Sequence, residues 1–110
     1  MKGDIMVEAL RLPAHQPTSV GAMLKEEFLE PLKITQGELA KAMGVSRKTV
    51  NELCGNHRGI TAETAFLLAK VLGTTPEFWL NLQYMNDMWL AIHKESLAKK
   101  VAAAKSLVAA

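Results

Sequence analysis

The sequence holds a single cysteine, Cys54, so no disulfide can form within the chain. Stability has to come from a packed core, and a lone thiol fits a reducing cytoplasm. No apolar run approaches the ~20 residues that a membrane-spanning helix needs, so no membrane partner is expected. The first residues also lack a basic region followed by a long apolar stretch, the mark of a secretory signal. Three histidines are present, His15, His57 and His93, and no nucleophile motif lies near any of them. Cys54 and His57 stand three apart, but zinc needs three or four ligands and no second pair exists. Neither an enzyme, nor a metal site, nor a cofactor is therefore expected. Net charge is also scarce, only +2, and that balance alone does not argue for a polyanionic partner.

What is present is a chain of 110 residues, 49% of them hydrophobic. That is enough for one small packed domain and too little for two independent cores. The distribution of charge says more than its sum. Between Lys41 and Arg58, four basic residues (Lys41, Arg47, Lys48, Arg58) face one acid, Glu52, a net of +3. Between Met23 and Glu38, Lys25 and Lys33 are outnumbered by Glu26, Glu27, Glu30 and Glu38, a net of −2. Basic charge is gathered on one segment, as phosphate binding requires.

That segment is Thr35 to Gly55, TQGELAKAMGVSRKTVNELCG. Gly44 sits where two short helices must be joined by a sharp bend, and glycine tolerates the left-handed backbone of such a turn. Thr35 is placed to cap the first helix and Ser46 the second. Leu39, Ala40 and Met43 share one face, Val50 and Leu53 another, and Val45 plugs the corner. The pattern is a helix-turn-helix. Its second helix exposes Arg47, Lys48, Thr49, Asn51 and Glu52, side chains able to reach phosphates and base edges from a major groove. Arg47 suits guanine, because its planar fork bonds bidentately. Asn51, one turn on, suits adenine. Gln36 opens the first helix, where its amide and free N–H groups suit a phosphate. Ser46 and Thr49 are further phosphate donors, Lys48 stands beside Arg47 at the exposed start of the helix, and Arg58, on the following loop, is a backbone clamp. Glu52 either accepts from cytosine or pairs with Lys48 at i,i+4. The competing reading is a plain helical hairpin whose polar face meets only water.

Around this motif the chain is expected to be all-α. Residues 1–19 form an arm interrupted by Pro13 and Pro17, with an apolar patch from Ile5 to Leu12. Residues 20–90 form a five-helix domain. Its first helix spans Val20 to Leu32, with Met23, Leu24, Phe28 and Leu32 on one stripe and Pro31 near the end. The second runs from Gln36 to Met43 and the third from Arg47 to Leu53, followed by a glycine-broken loop. Thr61 caps the fourth, with Ala65, Leu68, Ala69 and Leu72 inward and Gly73 as its stop. Thr75 and Pro76 open the fifth, which supplies Phe78, Trp79, Leu82 and Met85. Residues 91–110, rich in alanine and lysine, form a helical tail. A dimer would read two half-sites. Trp79, Trp89, Phe78 and the tail are the candidate dimer surface, with Phe78 favoured as core. Cys54 reads as a small, partly buried apolar residue.

These residues carry a resemblance. The helix-turn-helix followed by GNHRGITAETAFLLAKVLGTTPEFWLNLQ resembles the HigA-type antitoxins of the lambda-repressor-like (XRE) class. KEEFLEPLKIT, Lys25 to Thr35, matches the family's first-helix signature, and TTPEFWLNLQ, Thr74 to Gln83, is its most specific string. The likeness covers about Val20 to Leu90. Members often open the domain with His-Pro-Gly; here Ser19-Val20-Gly21 stands there and only the glycine is kept. The resemblance implies a lambda-repressor-like fold and a homodimer that represses its own operon by binding operator DNA. It also implies a HigB-type toxin partner, an mRNA-cleaving nuclease that the chain neutralises. The Ile5 to Leu12 patch, with no place in the five-helix core, is expected to order against that toxin. A stand-alone repressor without a toxin is the alternative.

Overall fold

The computed structural model describes residues 15–108. The Ile5 to Leu12 patch lies outside them. The described residues form six helices and no strands. The first, α1, is continuous from Val20–Ala22 through Met23–Leu29 to Glu30–Leu32. Then come α2 (Gln36–Met43), α3 (Arg47–Cys54), α4 (Ala62–Leu72), α5 (Pro76–Ile92) and α6 (Glu95–Ala103).

The middle of α1 is π-helical, and this corrects the stripe expected there. The Glu30 N–H reaches back five residues to the Lys25 carbonyl. A five-residue step brings Leu24 and Leu29 to the core, with Phe28 and Met23 packed beside them, and leaves Leu32 56% exposed. The wide turns lie just ahead of Pro31, whose ring would press on the carbonyl four residues back in a regular α-helix. The helix stops at Lys33, in the left-handed region at φ 56°.

The core is built from Leu24, Leu39, Val50, Leu53, Leu68 and Trp79, all fully buried. Trp79 is thus interior and is withdrawn from the candidate dimer surface. Its indole N–H donates to Thr74 Oγ1 at 2.7 Å, so the one polar atom of the ring is satisfied. Phe28 and Phe78 pack against it, ring centroids 5.3 and 5.0 Å away. Phe78, expected in the core, is instead 37% exposed, packed on Trp79 but open to solvent.

Two side chains fasten the start of α1. Asn56, itself at φ 59°, accepts from the Gly21 N–H at 2.8 Å and donates to Ser19 Oγ at 3.1 Å. A Cβ on Gly21 would lie 2.3 Å from the Cys54 carbonyl oxygen, which gives the one retained family residue a physical reason. Asn86, buried in α5, donates to the carbonyls of Thr18 and Leu82 at 2.9 Å each. α6 is a separate helix beyond a turn at His93–Lys94, and it buries no residue.

Candidate nucleic-acid interface

The site grows from two helix N-termini. At the first, the Thr35 hydroxyl accepts from the Glu38 N–H and the Glu38 carboxylate accepts from the Thr35 N–H, both at 3.0 Å. This capping box was not anticipated beyond its threonine, although Thr-x-x-Glu is a sequence-level signature of it. The bonds to Thr35 hold the Glu38 carboxyl below the usual carboxylate range. The N–H groups of Gln36 and Gly37, which a helix start leaves without intrahelical partners, stay open to a ligand.

Gly44 makes the turn at φ 73°, with open space where a side chain would stand. Val45 follows, half-buried against the core. Ser46 then caps α3, accepting from the Thr49 N–H at 3.1 Å. Its hydroxyl also pairs with Thr49 Oγ1 at 2.9 Å. One of the two hydroxyl hydrogens is used between them, so the pair keeps one for an outside acceptor.

Burial of Val50, Leu53 and Cys54 fixes which face of α3 looks outward. Arg47, Lys48 and Asn51 are exposed, and Thr49 and Glu52 are half-buried. Among the described residues, neither Arg47 nor Lys48 forms an ion pair. Asn51 Nδ2 donates to Gln36 Oε1 at 3.2 Å, joining two predicted contact residues across the two helices. Cys54 is buried, and burial pushes its thiol pKa up, which makes it a poor nucleophile.

Glu52 does not bond to Lys48 as the i,i+4 reading had it. Its carboxylate accepts from Arg58 at 2.9 Å. That bond leads the causes that hold the Glu52 carboxyl below the usual range; Lys48 and His57 add to it as nearby charges. Arg58 is therefore drawn onto the recognition helix by a contact spanning the helix end, which helical periodicity cannot foresee. The loop carrying it is tied elsewhere too. Its Ile60 N–H donates to Gln83 Oε1 at 2.9 Å, and Gln83 in turn donates to Asp87. Gln83 is the last residue of TTPEFWLNLQ, so the specific string ends on a side chain that holds this loop.

A family profile described as Helix-turn-helix matches residues 25–79, half of the sequence. The chain belongs to the helix-turn-helix family. This helix-turn-helix protein is 54% identical over 80 residues to Antitoxin HigA-1 of Vibrio cholerae, covering 73% of the chain and 75% of the relative. It is 47% identical over 90 residues to an uncharacterized HTH-type transcriptional regulator of Haemophilus influenzae, covering 82% and 84%. Among solved structures, Pseudomonas aeruginosa antitoxin HigA with the higBA promoter matches with a TM-score of 0.74 at 32% identity. That match covers 84% of this chain and 99% of the other. The all-α helix-turn-helix fold and the likeness to HigA-type antitoxins both stand on these matches. No described helix is long and apolar enough to cross a membrane.

Proposed function

We propose that this protein is a HigA-like antitoxin that binds operator DNA as a homodimer, represses its own operon and neutralises a HigB-type toxin. The observation that carries the DNA half is the open face of α3. Three long polar side chains, Arg47, Lys48 and Asn51, project from a capped helix whose other face is locked into the core. The Pseudomonas aeruginosa relative seen with its promoter supports the same use of the same fold.

In this reading Arg47 reads a guanine edge and Asn51 an adenine edge. Gln36, with the free N–H groups beside it, takes one phosphate. Ser46, Lys48, Thr49 and Arg58 take others. With Trp79 interior, the dimer surface rests on Phe78, Trp89 and the tail. Trp89 is half-buried and stacks on His93 at 4.1 Å.

The toxin half rests on the Vibrio cholerae relative. A stand-alone repressor is the second reading, favoured by the Haemophilus influenzae relative, which is described only as a transcriptional regulator. The two part in a growth assay. The small reading frame beside this one is expressed alone and together with the chain. Arrest in the first case and recovery in the second establish the antitoxin; a harmless neighbour leaves the repressor. Arg47→Ala is expected to spare rescue while costing about 1–3 kcal/mol of operator affinity and relaxing specificity. Unchanged affinity in a gel-shift titration overturns the groove placement of α3.

A further inference from the structure

We propose that Glu52 is a positioning residue for DNA binding: it holds the Arg58 guanidinium on the recognition face, ready for a phosphate. This rests on the DNA-binding reading above. An acid on a surface that meets a polyanion is at first sight a defect, since its charge opposes the phosphates. The geometry gives it a use. Arg58 lies on the loop between α3 and α4, between two glycines. A long side chain on such a loop loses rotamer freedom when it docks on a ligand. Glu52 removes part of that freedom beforehand, because its carboxylate takes one guanidinium N–H at 2.9 Å. Only one of the five guanidinium N–H donors is used, so the rest remain for a phosphate.

The backbone of the same residue completes the arrangement. The Glu52 carbonyl accepts from the His57 N–H at 2.8 Å, so this residue grips the loop at consecutive positions, once through its main chain and once through its side chain. Asn56 bolts the loop to α1 and Gln83 bolts it to α5. Arg58 and its neighbours hold the Glu52 carboxyl ionised at neutral pH, so the grip is charge-assisted. Lys48, one turn before Glu52, adds a nearby positive charge.

The sign of one substitution tests this. A bystander carboxylate makes Glu52→Gln bind DNA more tightly, because repulsion is removed. A positioning carboxylate makes it bind more weakly. The full chain is titrated with a duplex carrying the promoter upstream of its own coding sequence, and with a scrambled duplex of equal length, over a range of salt. Thermal melts accompany each variant to verify folding. Glu52→Gln is expected to weaken both duplexes by about threefold. The log–log salt slope is expected to fall by about one phosphate equivalent, the same change expected for Arg58→Ala. In the Arg58→Ala background, Glu52→Gln is expected to reverse its sign and tighten binding. Tighter binding by Glu52→Gln alone overturns the proposal while leaving the DNA reading intact. A loss confined to the promoter duplex, or undiminished without Arg58, also overturns it, because Glu52 then reads a base itself. Wild-type protein that binds neither duplex removes the proposal together with the reading beneath it.

Discussion

Two stretches of this chain are both helical but differently held, the α2–α3 pair and α6. The first is held from every side. Thr35 and Ser46 cap its two helices, Gly44 supplies the left-handed turn, and Leu39, Ala40, Met43, Val50, Leu53 and Cys54 are buried beneath it. The second has no side-chain cap at Lys94 and no buried residue. Its one ion pair, Lys99 with Glu95 at 3.6 Å, stands in open solvent. Helix propensity is if anything higher in α6, rich in alanine and lysine; tertiary anchorage is what it lacks. A helix that must present side chains to a rigid partner needs its other face fixed, since short helices are marginal alone. The α2–α3 pair meets that condition, and α6 makes it only if a partner supplies the missing face.

The largest expected effect comes from Trp79, which packs on Phe28 of α1 and shares the core cluster with the buried face of the helix-turn-helix. Trp79→Ala empties a fully buried site and strands the Thr74 hydroxyl, and is expected to cost about 3–5 kcal/mol in urea denaturation. A cost typical of a surface tryptophan would return it to the dimer surface. Gly21→Ala comes next, at about 3 kcal/mol, because the added carbon meets the rigid Cys54 carbonyl. Gly37→Ala is its internal control. Its Cβ would meet nothing closer than 3.9 Å, and an alanine there is expected to raise stability by about 0.5–1 kcal/mol. Equal effects at the two glycines would show that close packing at Gly21 does not matter.

The same contrast explains what could be read from the residues. The helix-turn-helix was legible because its signals are local: a cap, a glycine and apolar spacings within 21 residues, Thr35 to Gly55. The helices α4 and α5 were legible for the same reason, with Thr61 and Thr75 capping them. The α1 stripe was not, because a 3.6-residue period does not hold where a five-residue step prevails, and Leu29 takes the place of Leu32 in the core. The partner of Glu52 was missed because a helical pairing rule stops at the helix end, while Arg58 lies beyond it. Asn86 carried no signal at all. A single amide in an apolar helix gains meaning only when the fold brings the Thr18 carbonyl to it, 68 positions away in sequence.

Removing α6 tests the weaker region. A chain ending at Lys94 loses, among the described residues, no buried side chain and one exposed ion pair, so its stability in urea is expected to fall by less than about 1 kcal/mol. A larger loss that depends on protein concentration would place α6 in the dimer interface, since association stabilises only by mass action.

The smallest expected effect lies in the capping box, and its sign is set by protonation. The Glu38 carboxyl is held below the usual range chiefly by the bond from the Thr35 N–H. A carboxyl depressed in the folded state stabilises above its unfolded pKa, and that contribution is lost as pH falls through the lower, folded value. Glu38→Gln keeps an oxygen for the same N–H, so the box survives, but it gives up the charge that favours a helix N-terminus. The wild type is therefore expected to melt slightly above Glu38→Gln at neutral pH. The two curves should converge in acid, below the ordinary carboxylate range, where both side chains are neutral. A gap that persists unchanged into acid would mean that the carboxylate charge contributes nothing, and that α2 is fixed at its start by the Thr35 hydroxyl and the core beneath Leu39 alone.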